Sequence, residues 1–360
     1  MRILYGICGE GAGHATRSRV VVTYLLSKGH VVLVAAAGQA ERVLRSIEHP
    51  SLRVVPIVGL GLAGKDGGVD IRGTVEENAK RLPLMLQKNA AAWAEARLFQ
   101  PDAVVTDYDS FAWFFANAHA LPIVSVDNAQ ILVRCAHDPA LLDEHRSGYA
   151  AVEAFTHLKA FACDHFVVTS VFFPPVRPEC RLHTTLVPPI LRPTVVAALD
   201  QPRRNAGHCL VYKTSFLDDA SMVEALRSSP QQHFKIYGMN SDLSLPANAE
   251  RCPFGEGTFL RDLASSRAVV SNGGMSLLGE AVSLGKPVYA VPVRDQYEQV
   301  LNAAYVKRLG YGTTSAELDP RVLAAFLERS DDYSRTLAAL PPHDRNARLY
   351  ATIDALLARS

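Results

Sequence analysis

VVSNGGMSLLGEAVSLGKPVYAVPVRDQYEQVLNAAYVKRLGYG, residues 269–312, reads as a strand that turns through glycines into a helix. Ala268-Val269-Val270-Ser271 is a short apolar, β-branched run that stops at Asn272-Gly273-Gly274, where a side chain would obstruct close approach to the backbone. Leu277, Leu278, Ala281, Val282 and Leu284 then recur at three-to-four spacing until Gly285-Lys286-Pro287 ends the pattern. The helix therefore starts near Gly274. Free N–H groups in its first turn, at the positive end of its dipole, form a seat for phosphate oxygens. A plain strand-to-helix turn has the same local sequence, so the glycines alone do not decide between the two.

The remainder of the stretch does. Gly273-Gly274, Ser276, Glu280-Ala281, Gly285-Lys286-Pro287, Pro292, Asp295-Gln296, Asn302-Ala303 and Gly310 stand in register over about forty residues. Together they resemble the donor-binding segment of the UDP-glycosyltransferases and of the peptidoglycan N-acetylglucosaminyl transferase, both GT-B enzymes. The resemblance implies that Gly273, Gly274, Met275 and Ser276, at the helix start, hold a nucleotide diphosphate. It implies further that Glu280 takes the ribose hydroxyls and that Asp295 with Gln296 takes hydroxyls of the transferred sugar. The spacing agrees, since Glu280 lies six residues into the helix, within reach of a sugar attached to a phosphate at its start. Many UDP-glycosyltransferases carry histidine where this chain has Asn272, which can donate a hydrogen bond but brings no charge.

At 360 residues, 48% of them apolar, the chain is long enough for two domains with separate cores. Thirty-seven basic against thirty-six acidic residues leave no field to gather a polyanion, which argues against nucleic acid as a partner. The uncharged stretch Ser110 to Val126 is broken by Asn117, His119 and Pro122 and falls short of a bilayer span, so no membrane contact beyond a peripheral one is expected. Met1-Arg2-Ile3-Leu4-Tyr5 runs straight into a glycine loop without a leader pattern, and a cytoplasmic location is expected. The six cysteines include no CxxC pair. Cys135 with His137, Cys163 with His165, and Cys180 with His183 lack the spacing of a structural zinc site, and neither metal nor cofactor is expected.

Ile3 to Cys8 reads as a buried parallel strand, followed by Gly9-Glu10-Gly11-Ala12-Gly13-His14 and an amphipathic helix, with a second strand at Val31–Ala36. That order predicts an open α/β sheet with its ligand beyond the strand carboxyl ends. A dinucleotide site is excluded: His14 stands where G-x-G-x-x-G needs its last glycine, and no acid closes the second strand. A P-loop is excluded because no Gly-Lys-Ser/Thr follows. The run Gly9-x-Gly11-x-Gly13-His14-Ala15-Thr16-Arg17 resembles the first loop of bacterial and archaeal GT-B transferases related to the peptidoglycan enzyme. In UDP-glycosyltransferases the histidine of this loop is the general base, a role the resemblance gives to His14, with Gly11 and Gly13 shaping the loop. A histidine that contacts the diphosphate or orders the loop is the other reading. Asp107 closes the strand Asp102–Asp107, while Asp109 opens Asp109-Ser110-Phe111-Ala112-Trp113-Phe114. That run is similar to the context in which plant enzymes place the aspartate that steadies the catalytic histidine. Both carboxylates are candidates, each with a helix N-cap as its alternative. Trp113, Phe114 and Phe115 read as core, and Asp127 and Asn128 as polar residues at the cleft edge.

Residues 59–73 are too glycine-rich for regular structure, and a helix is expected over Val75–Gln87. Asp138-Pro139 can open helical segments continuing to about Phe161. The prolines of Val187 to Pro193 predict a stiff, extended linker. The expected plan is GT-B: residues 1–187 as an acceptor-binding Rossmann-like domain, 188–207 as linker and 208–343 as a nucleotide-sugar-binding Rossmann-like domain, the two facing across a cleft. A closing helix, 344–360, returns to the first domain. In the second domain Lys213 is placed to counter phosphate charge or is simply solvated, and Phe254 and Phe259 are placed beside the base or in the core.

The function expected is inverting, metal-independent transfer of a sugar from a nucleotide diphosphate, UDP favoured by the resemblance, to a hydroxyl of a small molecule, glycan or lipid-linked acceptor. Two other readings stay open: an epimerase or hydrolase of UDP-N-acetylglucosamine type on the same fold, and a catalytically silent nucleotide-sugar-binding protein.

Overall fold

Uninterrupted apolar strands have no face to give to water and must be covered on both sides. In the computed structural model β1 (Arg2–Ile7), β2 (Val31–Ala36), β3 (Leu52–Pro56), β6 (Ala103–Asp107), β7 (Ile123–Asp127), β8 (His165–Thr169) and β9 (Thr184–Val187) form one parallel sheet, in the order β3-β2-β1-β6-β7-β8-β9. A second parallel sheet holds β10 (Cys209–Tyr212), β11 (Phe234–Tyr237), β12 (Ala249–Cys252), β13 (Ala268–Ser271), β14 (Val288–Ala290) and β15 (Gly312–Thr314), ordered β12-β11-β10-β13-β14-β15. Between the strands run α1 (Ala12–Ser27), α2 (Gly38–Arg45), α3 (Ile71–Phe99), α4 (Ser110–Ala118), α5 (Ile131–Arg134), α6 (Pro193–Ala198), α7 (Asp219–Arg227), α8 (Glu256–Ser265), α9 (Met275–Ser283) and α10 (Tyr297–Arg308). The chain closes with α11 (Pro320–Glu328), α12 (Ser330–Ala338) and α13 (Ala347–Leu357). The structure describes residues 1–359 except Glu10, 60–62, 66–67, 142–162 apart from Tyr149, Glu153 and Thr156, Arg203, 214–217 and Asn240.

Three local expectations are corrected. Within the glycine-rich segment 59–73, β4 (Ala63–Lys65) and β5 (Gly68–Asp70) pair antiparallel, Ala63 with Asp70 and Lys65 with Gly68, because glycine weakens a strand without removing its backbone ladder bonds. The following helix runs through Pro83 to Phe99 and is far longer than Val75–Gln87. The last proline of the linker does not prolong an extended segment: Pro193 is the first residue of α6, where its missing N–H costs nothing. Of the helical stretch opening at Asp138, a single 3-10 turn, Pro139–Leu141, is described, and most of the remainder lies outside the described residues.

Leu349, Ile353 and Leu357 of α13 are buried with Ile3, Tyr5, Val167 and Val187 of the first sheet. Tyr350 stacks on Tyr24 of α1 at 3.8 Å between ring centroids, and Tyr24 donates to Asp354 at 2.7 Å. The last helix thus belongs to the core of the first domain although it follows the second in sequence. Among the described residues no helix is long and apolar enough to cross a membrane.

Candidate functional site

In an open parallel sheet, loops leave in opposite directions where the strand order reverses, and a crevice opens there. The first sheet reverses between β1 and β6, whose ends are paired in register, Ile7 with Asp107. Gly11, at φ 79°, swings the chain from β1 into α1, setting His14 in the first turn of that helix. His14 Nδ1 lies 2.8 Å from Asp107 Oδ1. Arg17, one helical turn beyond His14, donates Nε to Asp107 Oδ2 at 2.8 Å and Nη2 to Oδ1 at 2.5 Å, while Ser18 donates Oγ to Oδ2 at 2.8 Å. Burial alone would raise the pKa of Asp107, but the adjacent Arg17 and His14 overcome it and bring it down to about 2.

Arg17 Nη2 also comes within 2.7 Å of His14 Nδ1. A guanidinium only donates and an ionised carboxylate only accepts, so Nδ1 cannot serve both neighbours. The tautomer consistent with a charged Asp107 puts the proton on Nδ1 and leaves the lone pair on Nε2, at the opposite edge of a ring whose side chain is 16% exposed. Tyr108, at φ 53°, stacks on that ring with 6.4 Å between centroids. Asp109 is not brought to His14: its side chain accepts from Ala112 N at 2.8 Å as the N-cap of α4. Asp127 is also turned inward, accepting from Ser125 and from Gln130 N, whereas Asn128 donates to Thr169 O and accepts at 3.4 Å from Asn302 Nδ2 of the second domain, at the edge of the cleft.

The second sheet reverses between β10 and β13. After β13 the chain turns through Gly273, at φ 75°, and Gly274, the N-cap of α9, which has no side-chain cap. Asn302 Nδ2 donates to Gly273 O at 3.0 Å and fixes the turn. Met275 is buried and brings only its backbone to the helix start. Ser276 Oγ reaches across the cleft to Gly13 O at 3.1 Å, so the first turns of α1 and α9 face each other. A Cβ on Gly13 would sit 3.1 Å from that oxygen.

Elsewhere in this half the expected contacts are already engaged. Glu280 is held by Arg192, and Gln296 caps α10 by accepting from Gln299 N at 3.1 Å. Asp295, at φ 63°, accepts from Tyr297 Oη at 3.3 Å. Lys213 is paired with Asp219 at 2.8 Å, while Thr214, Ser215 and Phe216 lie outside the described residues. Phe259 is core, packed edge-on against Tyr237 at 5.0 Å, whereas Phe254 is 61% exposed with its ring 5.6 Å from Phe259. Among the described residues no three His, Cys, Asp or Glu side chains gather as a metal site.

A family model described as glycosyl transferase family 1 matches residues 1–330. The chain belongs to that family. This glycosyltransferase is 26% identical over 332 residues to an uncharacterised glycosyltransferase of Methanosarcina acetivorans, covering 87% of this chain and 85% of the relative. It is likewise 26% identical over 337 residues to one from Methanosarcina mazei, again covering 87% and 85%. Among solved structures it is similar to a UDP-glucose: anthocyanidin 3-O-glucosyltransferase in complex with UDP, with TM-score 0.69, 14% identity and 100% and 99% of the two chains covered. Phytolacca americana UGT2 complexed with UDP-2fluoro-glucose and pterostilbene gives 0.68, 15% identity and 98% of each chain. CalG4, the calicheamicin glycosyltransferase, gives 0.60, 19% identity and coverage of 99% and 98%. The glycosyltransferase therefore has the GT-B fold, two Rossmann-like domains of parallel sheet.

Three residues of the transferase's cleft were given no role by the sequence. Arg17 stands inside the quoted glycine-loop motif, and its position three after His14 sets both on one helix face, a signal that could have been read. Arg192 sits in the linker, where nothing local announces a partner 88 positions later. Glu298 of α10 is half-buried, and burial raises its pKa against the pull of Arg17 and His14, which marks it as facing that pair from the second domain.

Proposed function

We propose that this enzyme transfers a sugar from a nucleotide diphosphate, a UDP-sugar in the first instance, to an acceptor hydroxyl with inversion at the anomeric carbon. The observation that carries the reading is the His14–Asp107 pair, 2.8 Å apart at the reversal point of the first sheet, facing the capless start of α9. With Nδ1–H directed at Asp107, Nε2 of His14 takes the acceptor proton. The acceptor oxygen then bonds to the anomeric carbon as the bond from that carbon to the diphosphate breaks. Asp107 stabilises the imidazolium that forms. Charge gathers on the departing diphosphate, where the N–H groups at the helix start of Gly274, Met275 and Ser276, beyond the turn at Gly273, receive it without reorganisation. No metal ion is assigned a part in that step. Glu280 takes the ribose, Asp295 and Gln296 the sugar, and exposed Phe254 gives the base an aromatic face. UDP is favoured because two of the similar structures hold UDP or a UDP-sugar analogue.

The test is a single mutant measured two ways. His14→Ala should lower turnover roughly a hundredfold or more while the dissociation constant for the donor stays within a few-fold. A loss of donor binding as large as the loss of rate would assign His14 to the diphosphate instead. Proton NMR of the product from an α-linked UDP-sugar should show a β linkage, and an α linkage would refute inversion. Release of free sugar or an epimer from donor alone would favour the hydrolase or epimerase reading.

A further inference from the structure

The linker meets the nucleotide half of the cleft at two adjacent positions. A Cβ on Gly279 would lie 2.4 Å from Pro189 Cβ, so the linker rests directly on α9 at a point where glycine leaves room for it. One residue on, Arg192 forks onto Glu280, Nε to Oε1 and Nη2 to Oε2 at 2.6 Å each, with side chains 13% and 2% exposed. Arg192 also lies over the Phe259 ring at 5.9 Å, and its Nη1 is 3.6 Å from Glu256 Oε1. The other oxygen of Glu256 is 3.3 Å from Arg19 on α1, in the first domain. The backbone beside Arg192 is pinned by the second crossing between the domains. Asn346 bonds both the N–H and the C=O of Leu191 at 2.9 Å, and His343 Nε2 is 2.8 Å from Pro189 O.

We propose that Arg192 is the positioning residue for ribose recognition: it fixes the rotamer of Glu280 so that the carboxylate's free lone pairs receive ribose hydroxyls, and it makes the interdomain linker part of the nucleotide site. The proposal rests on the reading of Glu280 as the ribose contact. A carboxylate has about four lone-pair sites, and a bidentate guanidinium uses one on each oxygen, leaving one on each for a hydroxyl donor. Lysine cannot do the same, because a point charge on a flexible stem holds neither oxygen in a set direction. A linker seated by Gly279 and Asn346 carries the guanidinium to one place, so the hinge conformation and the orientation of Glu280 are set together.

The experiment is calorimetric titration of UDP and 2′-deoxy-UDP into wild type, Arg192→Gln, Arg192→Lys and Glu280→Gln, with thermal melts confirming folding. Wild type should prefer UDP by roughly tenfold or more, since the deoxy analogue leaves a polar site unpaired. In R192Q the affinity for UDP should fall about tenfold while that for 2′-deoxy-UDP stays within about threefold, so the preference collapses; R192K should recover little of it. E280Q should abolish the preference as well. If R192Q melts below the assay temperature, R192K is read by the same criterion. Equal weakening of both nucleotides in the arginine variants would assign Arg192 to holding the linker alone and overturn the proposal, as would an unchanged preference or a wild type that does not distinguish the two. A preference that survives E280Q overturns the ribose reading of Glu280 itself, and one lost in E280Q but kept in the arginine variants overturns Arg192 alone.

Discussion

Asp107 shows how much one buried carboxylate is asked to do. Its two oxygens accept from Arg17 twice, from Ser18 and from His14, which accounts for about all its acceptor capacity. A carboxylate whose folded pKa lies near 2, against about 3.9 in an unfolded chain, contributes stability that is complete above pH 5 and is lost as pH falls through the folded value. Wild type should therefore lose about 2 kcal/mol more than Asp107→Asn between pH 5 and pH 2, measured by urea unfolding of both proteins across that range. Parallel curves would mean that Asp107 is not ionised against Arg17. The loops carrying His14, Asp107 and Gly273 could be located from sequence because glycine and strand ends leave local signatures. The partner choices could not. Arg17 meets a residue 90 positions away, and two chemically equal candidates, Asp107 and Asp109, differ only in which one the backbone turns inward to cap a helix.

At the scale of elements, strands with an apolar run were legible, and polar or three-residue ones were not. Val31–Ala36 and Ala268–Ser271 stand where the sequence places them. Ala249–Cys252, with Glu250 and Arg251 exposed at its centre, is an edge strand that carries no apolar pattern, and Gly312–Thr314 is three residues long. The glycine turn before α9 offers a sharper check than its sequence. Gly273 holds φ 75°, whereas Gly274 has φ −63° and a Cβ there would meet Asn272 Oδ1 at 3.6 Å, an ordinary contact. Gly273→Ala should cost about 1–2 kcal/mol of stability and Gly274→Ala a few tenths, compared by thermal melting of the two variants. Equal losses would show that the left-handed turn is not what the first glycine supplies.

On the scale of the whole molecule, the return of α13 to the first sheet ties the two ends of the described chain into one core. Ile353 is buried in the same hydrophobic cluster as Ile3 and Tyr5. Truncation to alanine should cost roughly 2–5 kcal/mol. The chain's two tryptophans, Trp93 and Trp113, both lie in the first domain, so tryptophan fluorescence during urea unfolding should report that loss, although Ile353 follows the whole second domain in sequence. A fluorescence transition unmoved by Ile353→Ala would show that α13 is an attachment and not a part of that core. The closing helix could be expected from its apolar face, but its three buried residues say nothing by themselves about which sheet receives them.

That return path bears on how the chain is made. The strands of the first sheet are complete at Val187, yet the residues that cover β8 and β9 arrive only with α13, ending at Leu357. At ribosomal speeds of about 5–20 residues per second, the 170 residues between those points take roughly 10–30 s to synthesise. Throughout that interval the nascent first domain carries an open apolar seam, exposed to chaperones and to neighbouring chains on the same messenger. The second domain has no such wait, and the domain made first is the one finished last.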